Sequence, residues 1–228
     1  MNLEKISNAA KPKPWHLQFE RTAEDGVAVI ADTGVSQTLS WLEVDPDLLL
    51  QRVRGEGIPE RMIAKLSILF SNDVSSVRMG NGYYSTSFSE FDSNTMSIKI
   101  YTKPATVLRA VCQLYDKHMA DSGDERHAQL AAADDLERNV DMLCSEYVSR
   151  TLWHELRHVK QVSEDPNLLS YERPLLDGKP VVDEGYWQDP AEIDAISAEQ
   201  EVNTPYPVMV KLNQQDLDII LQNLRAED

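Results

Sequence analysis

Residues 151–161 read Thr-Leu-Trp-His-Glu-Leu-Arg-His-Val-Lys-Gln, and this stretch decides how the rest of the chain is interpreted. It continues an apolar series that advances by steps of four, three and four residues: Leu136, Val140, Leu143 and Tyr147. The same steps lead on to Thr151, His154 and His158. Steps of three and four keep side chains on one face of an α-helix. The pattern predicts one long helix over roughly residues 125–163, with both histidines on its buried face.

His154 and His158 are separated by one helical turn, so their imidazoles can reach a single cation at about 2.0–2.1 Å from each nitrogen. Glu155 lies about 100° further around the helix, where its carboxylate flanks the metal and can accept a proton from a bound water. A chance H-E-x-x-H match in a chain with five histidines has a probability on the order of one per cent. The alternative is a pair of core histidines satisfied by hydrogen bonds, with Glu155 in an ion pair to Arg157 or to a neighbouring helix.

A catalytic zinc site usually has three protein ligands and one open position. The first candidate for the third ligand is Glu192, in Asp189-Pro190-Ala191-Glu192 at the start of a downstream helix. The same four residues also match a helix cap, in which Asp189 is the N-cap and Glu192 folds back onto it. Glu164 and Asp194 are the other candidates. The sequence alone leaves these alternatives open.

The rest of the chain predicts an α+β fold. In chain order, the patterns indicate two or three hairpin-linked strands over 15–41, two short helices after Asp45-Pro46-Asp47, a meander of about three strands over 74–101, a helix after Pro104, and a last helix whose inner face is Leu217, Ile220, Leu221 and Leu224. We expect an N-terminal strand-rich half, with a small antiparallel sheet, packed on a helical half that carries the active-site helix.

Composition excludes several classes of protein. The net charge is −16, from 38 acidic and 22 basic residues, which opposes binding to nucleic acid. Cys112 and Cys144 are the two cysteines, too few for a disulfide framework or a cysteine-ligated zinc site. No apolar run reaches the length of a signal peptide or a membrane span. We therefore expect a cytoplasmic protein with no membrane partner.

The H-E-x-x-H motif resembles gluzincin-type zinc metallopeptidases, in particular the small single-domain minigluzincins, over about residues 96–200. The metzincin continuation is absent, because Gln161 and Glu164 stand where that group has glycine and histidine. The resemblance implies Zn²⁺ held by His154, His158 and Glu192, with Glu155 as the catalytic general base. It also implies a peptide or protein substrate that is bound in extended form by an edge strand, which Met96–Tyr101 matches in position.

Residues 1–14 end in Lys11-Pro12-Lys13-Pro14, whose prolines disfavour a helix and predict a flexible lead-in. We expect one zincin-like domain over 15–228. Its parts are a strand-rich half (15–103), the active-site helices (104–202) and a C-terminal helix (203–228). Gluzincins of the thermolysin type place an aspartate four residues after the ligand glutamate to orient a zinc histidine. Here that position is Ile196, and Asp194 is the nearest substitute.

Peptide hydrolysis also needs a group that stabilises the developing oxyanion. Tyr186 is the first candidate, with Tyr171 and Arg173 as alternatives. Either terminus could cover the cleft and inhibit the enzyme. Two rival functions remain: a binding or regulatory protein that keeps the zincin scaffold without general proteolytic activity, and a helical protein without metal.

Overall fold

The computed structural model describes residues 27–32, 34–35, 38–73, 76–79, 84–103, 106–114, 136–166, 175–176, 179–182, 184–202 and 205–226. The elements follow in the order β1 (Ala28–Ala31), β2 (Leu39–Val44), α1 (Pro46–Gly55), α2 (Glu60–Ile63), β3 (Ser67–Ser71), β4 (Ser76–Met79), β5 (Tyr84–Thr86), β6 (Ser89–Asp92), β7 (Ser97–Tyr101), α3 (106–114), α4 (Leu136–Glu164), β8 (Leu175–Leu176), β9 (Lys179–Val182), α5 (Glu184–Gln188), α6 (Pro190–Glu199), β10 (Val208–Leu212) and α7 (Gln214–Ala226).

The main sheet has the strand order β1-β3-β7-β6. The first three strands are parallel, and β6 at the edge runs antiparallel to β7. Alternate residues of these strands are fully buried, among them Val29, Ile68, Phe70, Ile98 and Ile100. This inward set forms the centre of the hydrophobic core, and the sheet supplies a fixed surface against which α4 packs.

Two smaller sheets complete the strands of the described chain. β2 pairs with β10 in an antiparallel ribbon, and the four short strands of the third sheet have the order β5-β4-β9-β8. The β2–β10 ribbon packs on α4 through the buried hydroxyl of Ser145, which accepts a hydrogen bond from the backbone N–H of Val210 at 3.1 Å. The C-terminal segment is therefore built into the fold at the first half of α4.

Helix α4 lies between the main sheet and the C-terminal helices, with contacts to β6, β7, β10, α6 and α7. Its buried face includes Val140, Leu143 and Tyr147, as the apolar series predicts. The Tyr147 hydroxyl donates to the backbone carbonyls of Tyr101 at 2.7 Å and Phe88 at 3.2 Å. This side chain connects α4 to β7 and to the residue that precedes β6.

The predicted fold class is confirmed: a strand-rich N-terminal half with small sheets is joined to a helical C-terminal half. The helices predicted after Asp45, Pro104 and Asp189 are present, and so is the last helix, which buries Leu217, Ile220 and Leu221. The long helix ends at Glu164, and the predicted start near residue 125 lies outside the described residues. No helix in the described part of the chain has both the length and the apolar character that crossing a membrane requires.

Three predictions about strands were wrong. β1 and β2 do not form a hairpin, because β1 joins the main sheet and β2 pairs with β10. The predicted meander is two separate hairpins, β4–β5 and β6–β7, which lie in different sheets. Met96–Tyr101 is not an edge strand: β7 lies between β3 and β6, and Met96 is in the preceding turn with a φ of 54°. Among the described residues, the two edge strands of the main sheet are β1 and β6.

Candidate metal centre

Helix α4 turns the rings of His154 and His158 toward one point. The spacing of four residues places them on the same face one turn apart, with ring centroids 4.8 Å apart. Their Nε2 atoms are separated by 3.1 Å. His158 is buried and His154 is half-buried. Two ring nitrogens therefore meet in a largely desolvated position.

Helix α6 brings a carboxylate to the same point. The side chain of Asp189 caps this helix and accepts a hydrogen bond from the N–H of Ala191 at 2.8 Å. Glu192, three residues after the cap, is buried, and its Oε2 lies 3.4 Å from Nε2 of His154 and 3.6 Å from Nε2 of His158. The cap pattern and the approach to the histidines are thus compatible, since Asp189 caps while Glu192 faces the two rings.

The three facing atoms have the spacing of ligands around one ion. A tetrahedral site with bonds of 2.0–2.2 Å has edges of about 3.3–3.6 Å, and the observed triangle has edges of 3.1, 3.4 and 3.6 Å. His154, His158 and Glu192 form a group that could hold a metal ion. The residues present therefore fit a metal.

The other nitrogen of each ring is also engaged. Nδ1 of His154 lies 2.8 Å from a carboxylate oxygen of Glu199, and Nδ1 of His158 lies 2.8 Å from Oε1 of Gln161. Both partners can accept a hydrogen bond from Nδ1. With a metal bound, each Nδ1 would therefore carry the proton, and each neutral ring would direct its Nε2 lone pair at the ion. Neither Glu199 nor Gln161 was predicted as a histidine partner, because nothing in the sequence spacing of these residues indicates such a contact.

Asp194 was a candidate ligand and a candidate partner of a zinc histidine, but it reaches His158 only through Gln161. Its Oδ2 accepts a hydrogen bond from Nε2 of Gln161 at 2.9 Å, and Gln161 in turn contacts His158. Glu164, the other candidate ligand, is exposed and lies 3.9 Å from Lys160. Neither residue joins the group that the structure brings together.

Proton affinities at the centre reflect the opposite charges of its members. Burial lowers the pKa of His154, but hydrogen bonds to Glu192 and Glu199 outweigh that effect and raise it to about 10. Burial also opposes the charge on His158, and Glu192 together with Glu155 raises its pKa. Burial raises the pKa of Glu192, whereas hydrogen bonds with both histidines hold it well below its usual range. The carboxylates of Glu192, Glu199 and Glu155 therefore favour a positive charge at this point.

Glu155 lies beside this group but is not part of the triangle. It is only 4% exposed, and its charge contributes to the raised pKa of both histidines. Its Oε1 accepts a hydrogen bond of 2.5 Å from the hydroxyl of Ser89, on the edge strand β6. The ion pair with Arg157, which belonged to the alternative without a metal, is not the contact that holds this carboxylate. Ser89 was not identified from the sequence.

Tyr186 reaches the same centre from α5. A hydrogen bond from Tyr186 contributes to the lowered pKa of Glu192, and the tyrosine ring packs edge-on against Trp187 at 5.0 Å. Trp187 itself is 52% exposed. The alternatives Tyr171 and Arg173 lie outside the described residues. The other three histidines of the chain, His16, His118 and His127, lie outside them as well.

The chain matches no protein-family model, no curated protein and no solved structure. The resemblance to gluzincins therefore rests on the H-E-x-x-H motif.

Proposed function

We propose that this protein is a zinc-dependent metallopeptidase of the gluzincin type, with His154, His158 and Glu192 as metal ligands and Glu155 as general base. The observation that carries the proposal is the triangle of ligand atoms, whose edges of 3.1–3.6 Å are close to those of a tetrahedral site, together with the buried carboxylate of Glu155 beside it. Two neutral imidazoles and one carboxylate form a common ligand set of catalytic zinc. When bound, zinc would polarise the substrate carbonyl and acidify a water molecule.

Glu155 supplies the proton transfers. It takes a proton from the attacking water as the water oxygen bonds to the carbonyl carbon, and returns that proton to the amide nitrogen as the C–N bond breaks. Ser89 holds one carboxylate oxygen and thereby fixes the orientation of the base. Tyr186, which already contacts the centre through Glu192, is the candidate donor to the developing oxyanion.

The edge strand β6 is the proposed binding surface for the substrate backbone. β6 is the last strand of the main sheet, and Ser89 on this strand touches Glu155. An extended peptide that adds to a sheet edge gains main-chain hydrogen bonds and presents alternate side chains to the protein. A peptide bound along β6 would therefore lie next to the base.

The proposal is tested with purified protein, metal analysis and a complex peptide pool. We expect stoichiometric zinc, and new peptide termini detected by mass spectrometry that are lost on addition of a chelator. Glu155→Gln should keep the zinc and lose about 10²–10⁴-fold of the cleavage rate. Glu164→Gln is the matched control on the same helix, and should cleave at the wild-type rate.

Two outcomes would overturn the proposal in different ways. Protein that binds no zinc at micromolar concentration removes the metal centre altogether. Protein that binds zinc but cuts no peptide, or whose Glu155→Gln variant cuts as well as wild type, removes the peptidase reaction and favours a zincin scaffold used for binding or regulation. Self-inhibition by a terminus stays a prediction and is tested by comparing truncated with full-length protein.

A further inference from the structure

We propose that Gln161 is the positioning residue that joins the two ligand-bearing helices, α4 and α6, and so sets the metal affinity of the centre. This inference rests on the proposed metal centre and does not depend on what reaction the centre catalyses. Gln161 is neutral and is not itself a ligand, but its contacts hold the ligands His158 and Glu192 at their observed separation.

Gln161 makes three side-chain hydrogen bonds at this one place, which engage its amide oxygen and its NH₂ group. Its Oε1 accepts from Nδ1 of His158 at 2.8 Å, and its Nε2 donates to the carbonyl of Ala191 and to Oδ2 of Asp194, both at 2.9 Å. The side chain is 4% exposed. The amide orientation follows from these partners, since only the NH₂ group can serve the two acceptors on α6.

The contacts connect one ligand to the next. His158 belongs to α4, and Ala191 is the residue immediately before the ligand Glu192 on α6. Gln161 therefore spans from the ring of one ligand to the backbone beside another. Because the side chain is buried and satisfied at both ends, a change in either helix position would leave polar groups without partners.

A glutamine suits this position better than the residues that most resemble it. Glutamate could still accept from His158, but it has no N–H for Ala191, and its charge would face the carboxylate of Asp194. Methionine matches the length and offers neither contact. His154 differs, because its Nδ1 partner Glu199 is charged and its side chain is 35% exposed. Only the Gln161 contact is both neutral and buried.

Zinc affinity distinguishes this role from simple orientation of His158. If Gln161 served only as an acceptor for the ring, Gln161→Glu would bind zinc as tightly as wild type or more tightly, since a carboxylate strengthens a histidine ligand. If it joins the helices, Gln161→Glu should bind more weakly. We expect a loss of about 10- to 100-fold for Gln161→Glu and for Gln161→Met, measured by competition with a chromophoric chelator.

A double variant and a matched control sharpen the test. Gln161→Glu combined with Asp194→Asn restores a donor facing an acceptor between the helices, and should recover a measurable part of the lost affinity. Gln214→Leu removes an exposed glutamine that hydrogen-bonds Asp218 on α7, and should change zinc affinity by less than twofold. Melting temperature of each metal-free variant shows that the chain remains folded.

If the wild-type protein binds zinc and Gln161→Glu binds it as tightly or more tightly, this inference alone is overturned, whatever the affinity of Gln161→Met. The absence of peptide cleavage would refute the proposed reaction but would not affect the role of Gln161 in zinc affinity. A wild-type chain that does not bind zinc would end both proposals, so the three failures are separable.

Discussion

Replacement of Tyr147 by phenylalanine should destabilise the protein by about 1–2 kcal/mol. The hydroxyl donates to the carbonyls of Tyr101 and Phe88, and Tyr147 is buried, so water cannot replace the lost bonds. A net hydrogen bond contributes about 1 kcal/mol, and the longer contact at 3.2 Å contributes less than the one at 2.7 Å. The phenylalanine ring would keep the edge-on packing against Phe88 at 5.6 Å, so no cavity term is added.

Urea unfolding followed by tryptophan fluorescence measures this change as a shift of the midpoint at constant slope. In a chain of 228 residues, each 1 kcal/mol corresponds to about 2–4 °C in melting temperature, so the shift should be roughly 2–8 °C. A urea midpoint and slope unchanged from wild type would refute the reasoning, because they would mean that this hydroxyl does not attach α4 to the hairpin.

Three further predictions concern the catalytic base, the titration of His154 and the contact between β10 and α4. Ser89→Ala removes a hydrogen bond to the Glu155 carboxylate that contributes about 1.5–3 kcal/mol. In steady-state kinetics, kcat on a cleaved peptide should therefore fall roughly 10- to 100-fold, with KM and zinc content unchanged. Ser89→Thr keeps the hydroxyl and should retain activity. In the metal-free chain, burial opposes the charge on His154, but Glu192 and Glu199 raise its pKa to about 10. Protonation of His154 therefore stabilises the folded state fully below about pH 6.5, the pKa of an unfolded histidine. Melting curves recorded with a chelator should show that this stabilisation is lost as the pH rises toward 10. Ser145→Ala leaves the buried N–H of Val210 without its acceptor and should lower the unfolding free energy by about 1–3 kcal/mol in urea titrations, and an unchanged value would contradict the proposed attachment of β10 to α4.

Local patterns predicted the helices well. The apolar steps that end in His154 and His158 are set by the geometry of a single helix, so residue spacing alone places both rings on one face. The cap at Asp189 likewise depends on neighbours in the chain, and it correctly located the helix that carries Glu192. These features need no knowledge of the tertiary fold.

Strand pairing and the surroundings of the histidines could not be predicted in this way. Turn residues indicate only where a strand ends, and the parallel pairing of β1 with β3 joins strands that are separated by a ribbon strand and two helices. Glu199 lies 45 residues from His154, and Ser89 lies 66 residues from Glu155. Such contacts depend on how whole elements dock, which a period of two or 3.6 residues does not encode.

The ribbon of β2 and β10 has a consequence for how the molecule is made. Val44 pairs with Val208, and more than 160 residues must be synthesised between the two. Strand β2 therefore stays without this partner strand until β10 has been made. Loop closure over that distance is slow, and until it occurs β2 offers an open edge to other chains. Deletion of residues 208–226 should therefore produce insoluble protein during expression, even though the metal-binding residues all lie upstream of the cut.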